Sequence, residues 1–155
     1  MVIGQSGTPA SAAAILAALA EAGYAVADAP ADGAALMAAM LSGVTNAPGS
    51  ADRDGDVALP LADYHAAFQA MPADVRAAIV DRWGAVDADP FVRDGAFRLA
   101  VRRFGAIAVA VQPARGYHID PKASYHDPAL VPPHAYLAFH VWLNRHFGAH
   151  AVVHV

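Results

Sequence analysis

Seven of the eight histidines lie between His118 and His154, with only His65 outside that span. Imidazole titrates near neutrality and serves as base, acid or metal ligand. Titratable chemistry is therefore expected in the last quarter of the chain. His118, His126 and His134 recur at intervals of eight, which is no recognised zinc spacing, and HExxH is absent. Imidazole nevertheless suits cobalt, zinc or nickel. His126 and His134 are candidate ligands, against the competing reading of polar loop residues that hydrogen-bond carbonyls. His134 stands where a loop meets a helix start, where the dipole lowers the pKa of imidazole and favours a neutral donor or base. Asp120 and Asp127 each precede a proline. Such pairs ordinarily initiate turns, yet either carboxylate could orient a nearby histidine by accepting its ring proton. Arg115 could clamp a carboxylate with its planar fork or hold its own loop through carbonyls. His140 and His146 read as helix-face residues.

These side chains need a frame. Thr8 and Pro9 suit a cap and a first helical position, and the helix they open continues through Ile15, Leu16 and Leu19 to a stop at Gly23. Tyr24-Ala25-Val26 reads as a short strand. Asp32 can cap a second helix, with Leu36, Met37, Met40 and Leu41 at helical spacing and Gly43 as its stop. This strand–helix alternation predicts an α/β fold, a mainly parallel sheet covered by helices in a single compact domain over residues 1–155. Residues 43–59 are polar and turn-rich, a mobile loop. Helices are expected over about 61–69 and 72–83, and strands near 97–101 and 107–111. The second strand is almost wholly apolar, as if covered on both faces. Residues 112–133, with six prolines and glycines among aromatic and histidine residues, read as a functional loop. Pro133 starts a helix running to about Phe147, and Ala151-Val152-Val153 reads as a buried strand. Ligands bind beyond the carboxyl ends of parallel strands, which singles out Gln112 and His154.

Composition narrows the function. Hydrophobic residues make up 57% and charged ones 15%, which excludes a disordered chain. The formal charge is −4 and Lys122 is the only lysine, so no basic stripe exists to follow nucleic acid. Without cysteine there are neither disulfides nor thiolate metal sites. No apolar run reaches membrane-spanning length and no basic n-region opens the chain, so a cytoplasmic protein is expected. GxxxxGK[ST] is absent, so this chain is not expected to hydrolyse ATP. GxSxG is absent too, and Gly4 to Gly7 is only a weak anion-site signal against a simple turn.

The runs Val-Gln-Pro-Ala-Arg-Gly-Tyr (111–117), Asp-Pro-Lys-Ala-Ser-Tyr-His-Asp-Pro (120–128), Val-Pro-Pro-His (131–134) and Tyr-Leu-Ala-Phe (136–139) resemble the large subunits of aerobic cobaltochelatase, CobN. Asp-Gly-Ala-Phe-Arg-Leu (94–99) and Thr-Pro-Ala-Ser-Ala-Ala (8–13) are similar as well. Gln112, Pro113, Gly116, Tyr117, Asp120, Pro121, Pro133 and His134 also match the related large subunits of magnesium chelatase, whereas Tyr125-His126-Asp127 resembles the cobalt branch alone. The resemblance implies a macrocycle-binding subunit of an ATP-dependent, nitrogen–metal-bond-forming ligase. Its Co2+ substrate ion enters hydrogenobyrinic acid a,c-diamide in cobalamin synthesis, and ATP is used by separate ATPase-ring subunits. Within this match His134, His154 and Asp120 are candidates for catalysis, Gln112, Arg115, Tyr117 and Tyr125 for contact with the corrinoid, and His126 and His134 for the metal, with the roles of base, ligand and substrate contact left open among them. Family members are far longer, so the chain resembles an excised piece that docks the rest of its own polypeptide. The family continues past the match to His154 with a Gly-x-His-Gly segment and an acidic residue. The isolated piece is therefore expected to be inactive. Two other readings are a magnesium chelatase piece acting on protoporphyrin and a non-catalytic assembly domain.

Overall fold

The computed structural model describes residues 2–3, 9–47, 49–116 and 130–154. Helix α1 (Pro9–Glu21) starts at its proline and buries Ala12, Ala13 and Leu16. Helix α2 (Gly33–Ser42) is capped by Asp32, whose carboxylate accepts the Ala35 N–H at 2.8 Å. The two helices pack so closely that a Cβ on Gly33 would stand 2.5 Å from the Ala10 backbone nitrogen.

Strand β6 (Ile107–Val111) is the hinge of the packing. It pairs parallel with β1 (Val2–Ile3) and antiparallel with β5 (Val101–Phe104). Val109 packs with Leu16, Leu36 and Met40 under α1 and α2. Ala108 and Ala110 point the other way, into a core with Leu59, Tyr64, Phe97 and Phe139. The strand is thus covered on both faces, as its apolar run predicts. A second sheet, ordered β2 (Ala58–Pro60), β4 (Ala96–Arg98), β3 (Val92–Arg93), is antiparallel throughout. Helices α3 (Leu61–Gln69) and α4 (Ala73–Trp83) follow β2 as expected. Helix α5 (His134–Val141) continues into a π-helical turn, Trp142–His146. Among the described residues no helix is long and apolar enough to cross a membrane.

The α/β class holds, but the expected mainly parallel sheet does not: β1–β6 is the one parallel pairing among the described strands. The reason is local. Phe104 pairs with Ile107, so Gly105 and Ala106 form a two-residue connection, and only antiparallel strands can be joined that tightly. The strand expected near 97–101 breaks at Leu99-Ala100 into β4 and β5, which belong to different sheets. Tyr24-Ala25-Val26 is no strand; Ala25 gives its carbonyl to the Ala106 N–H at 2.8 Å within that hairpin turn. Ala151 to Val153 is exposed rather than a buried strand, with only a single bridge at His154. The polar stretch 43–59, expected to be mobile, makes hydrogen bonds within itself and to its surroundings. Ser50 donates to the Thr45 carbonyl at 2.6 Å, Asn46 donates to the carbonyls of Val111 and Gln112 at 3.0 Å each, and Asp56 accepts from Arg102.

Candidate functional site

Gln112 leaves β6 with its own carbonyl held by Asn46. Its side-chain amide nitrogen donates to the Tyr136 hydroxyl at 2.9 Å and lies 3.2 Å from His140 Nε2. Tyr136 and His140 are four residues apart on α5 and so share a face, with ring centroids 4.8 Å apart. All three are half-buried. Burial holds the His140 imidazole below its ordinary pKa, and the neighbouring His154 lowers it further. At neutral pH His140 is therefore a neutral ring whose Nε2 accepts the Gln112 amide, a group able to take a proton. His154 is exposed beside it. Gln112 and His154 thus both border His140. Among the described residues no three of His, Cys, Asp and Glu group as a metal cage.

His134 is elsewhere. It is 1% exposed, and both ring nitrogens have protein partners. Nε2 lies 3.1 Å from the Gly84 carbonyl, which can only accept, so Nε2 carries the hydrogen. The Tyr64 hydroxyl then donates to Nδ1 at 2.8 Å. Tyr64 and Phe68 set ring edges against the imidazole at 5.8 and 5.2 Å. His134, the expected ligand or base, is a core residue in this fold with both ring nitrogens engaged. Its neighbour Asp89 accepts the Ala135 N–H at 3.2 Å and the Phe91 N–H at 2.9 Å, capping α5 from a distant turn. Burial raises the Asp89 pKa, while the two N–H bonds and His134 counter that rise. Burial also raises the Tyr64 pKa, which keeps its hydroxyl a donor. Trp83 completes the clamp by donating to the Val131 carbonyl at 2.8 Å.

Arg115 is exposed on the stretch leaving β6. Tyr117, Asp120, Tyr125 and His126 lie outside the described residues. His140 is a half-buried helix-face residue, as the sequence predicts, but its grouping with Tyr136 and Gln112 is not read from the sequence. The spacing of four between Tyr136 and His140 on a well-marked helix was the available signal.

Residues 3–155 match the CobN/Magnesium Chelatase family. The chain is 50% identical over 148 residues to the aerobic cobaltochelatase subunit CobN of Sinorhizobium sp, covering 96% of this chain and 12% of that one. The corresponding Pseudomonas aeruginosa subunit is 47% identical over 149 residues, again 96% and 12%. A magnesium-chelatase subunit of Chlorobaculum parvum is more distant, 39% identical over 82 residues, 52% of this chain and 6% of that one. The solved catalytic subunit of cobaltochelatase from Mycobacterium tuberculosis superposes with a TM-score of 0.80 at 34% identity, over 99% of this chain and 14% of that one. The chain thus spans about 12% of the length of its curated CobN relatives, and across that span it belongs to the CobN/magnesium chelatase family.

Proposed function

We propose that the chain supplies part of the macrocycle-handling site of an ATP-dependent cobaltochelatase, which inserts Co2+ into hydrogenobyrinic acid a,c-diamide in cobalamin biosynthesis. The observation that carries this reading is the Gln112–Tyr136–His140 cluster at the exit of β6, in a chain half identical to CobN. Placing a divalent ion in such a ring replaces two N–H protons, so the site needs a base that is neutral near pH 7. His140 meets that need because burial disfavours its charged form. Gln112 orients Nε2 and can exchange its amide for a substrate N–H. His154 supplies a second imidazole at the rim. Arg115, Tyr117 and Tyr125 are assigned to the macrocycle and Asp120 and His126 to proton transfer and the ion, on the family resemblance. ATP is hydrolysed by partner ATPase subunits, the whole acting in the cytoplasm. The match to CobN over 96% of the chain, against 52% for the magnesium-chelatase relative, favours cobalt over magnesium.

The test transplants this chain into the Sinorhizobium subunit in place of its matching segment. Cobalt insertion is followed by corrinoid absorbance with ATP and the partner subunits. Activity is expected to survive the exchange and to fall at least tenfold with His140→Ala or Gln112→Ala. A folded but inactive chimera, or two fully active variants, would refute the proposal.

A further inference from the structure

An open groove of about 540 Å³ runs between the end of α1, the β5–β6 hairpin and residues 146–153. Its walls are apolar: Ile15, Leu19, Tyr24, Ile107, Phe147 and Val153. Tyr24 and Val153 are 59% and 44% exposed there. The volume falls within the range of small-molecule sites, which combine apolar walls with a few placed polar groups. The polar groups here are of one kind. Arg103, His146 and His150 line the groove, and no carboxylate does so among the described residues, although the chain as a whole is formally −4.

Arg103 is held in place. Its guanidinium stands 5.6 Å over the Phe147 ring, which in turn stacks on Trp142 at 5.1 Å. The carboxylate of Asp56, which reaches this strand from the stretch before β2, is already committed: it accepts from the Arg102 side chain and from the Arg103 backbone N–H. His146 faces Asp63 at 3.5 Å. Stacking engages the face of a guanidinium, and its N–H donors lie in the edge, where they match a carboxylate in bidentate fashion.

We propose that this groove binds an apolar molecule bearing a carboxylate, its apolar body against Ile15, Leu19 and Ile107 and the carboxylate on Arg103. The lining of the groove does not include Gln112, Tyr136 or His140, so the test of its ligand does not depend on the chelatase reading. Apolar walls by themselves would accept any greasy surface. A stacked guanidinium with no acid in the groove selects for the anion.

The probe is 1-pyrenebutyrate, titrated by fluorescence into the full 155-residue chain, with uncharged 1-pyrenebutanol as its matched partner. The acid is expected to bind at least tenfold more tightly than the alcohol, and the gap is expected to close as salt is added. Arg103→Gln is expected to weaken the acid by about tenfold or more while leaving the alcohol unchanged. Arg145→Gln, outside the groove, is expected to alter neither. Equal affinity of acid and alcohol for the unaltered chain would overturn the proposal and mark the groove as a general apolar seat for another part of a longer polypeptide. Failure of the acid to bind overturns it as well, as does an Arg103→Gln chain of unchanged circular dichroism that keeps the acid's affinity.

Discussion

Replacing His134 by alanine removes a side chain that is 1% exposed and hydrogen-bonded at both nitrogens. The variant strands the Tyr64 hydroxyl, on a residue with no exposed surface, whereas the carbonyl of exposed Gly84 can turn to water. The stranded buried hydroxyl costs about 1–3 kcal/mol. The vacated ring space, bounded by Tyr64 and Phe68, adds a cavity cost of about 1–2 kcal/mol. The expected loss is about 2–5 kcal/mol, or roughly 10 °C in melting temperature for a domain of this size. Tyr64→Phe keeps the ring packing and strands only Nδ1, so about 1–2 kcal/mol is expected. The double variant is the sharper measurement. With His134 gone, the Tyr64 hydroxyl is a liability, and deleting it should restore part of the loss. The two changes should therefore be sub-additive by about 1–2 kcal/mol. Urea unfolding followed by circular dichroism and tryptophan fluorescence gives all three values. If His134 instead served as a poised base or ligand, stability would barely change. A loss under about 1 kcal/mol for His134→Ala, or strict additivity with Tyr64→Phe, would refute the core assignment.

His140 is expected to titrate by NMR below the usual imidazole value near 6.5, and His154→Ala should move it part of the way back. Because its folded pKa is lowered, its contribution to stability is present above about pH 6.5 and is lost as pH falls through the folded value. His140→Asn should accordingly blunt acid destabilisation in that window. Asp89 has the opposite sign. Its folded pKa is raised, so its contribution is complete below the unfolded value near 3.9 and is lost as pH rises through the folded one. The stability difference between the parent chain and Asp89→Asn should change across that interval and be flat well above it. Gly33→Ala should destabilise by about 1–3 kcal/mol despite the better helix propensity of alanine, because the new methyl meets the α1 backbone. A gain in urea midpoint for that variant would contradict the close approach of the helices.

What the sequence made legible was governed by neighbours in the chain. Pro9 and Asp32 mark helix starts through the first-turn amides, and Gly43 marks a stop, so α1 and α2 were readable. So was β6, whose five apolar residues match burial on two faces. Strand direction was not, because it is a property of the partner. Even so, a signal lay in Phe104-Gly105-Ala106-Ile107, where a glycine in the left-handed region (φ 66°) makes a two-residue turn. Tyr24 to Val26 and Ala151 to Val153 carry strand-forming residues. Among the described residues neither has a neighbouring strand to pair with along its length, and propensity without a partner leaves them outside the sheets.

The histidines show the same division within one helix. His134, Ala135, Ala138 and Phe139 face the core, whereas Tyr136 and His140 face the exit of β6. A histidine directly after two prolines at a helix start looks exposed and poised, and the sequence does not say that Tyr64, Gly84 and Asp89 close over that end. Those partners stand 70, 50 and 46 positions away, Asp89 acting through Ala135. The chemical consequence follows from pairing rather than residue type. His134 has each nitrogen matched to a protein partner, and a proton or ion taken up at Nδ1 would break the buried bond from the Tyr64 hydroxyl. His140 is half-buried, and its Nε2 meets an amide at 3.2 Å that is also bonded to Tyr136. Under the function proposed above, that contact exchanges for a substrate N–H while Gln112 keeps a partner, and His140 rather than His134 has the freedom a base requires.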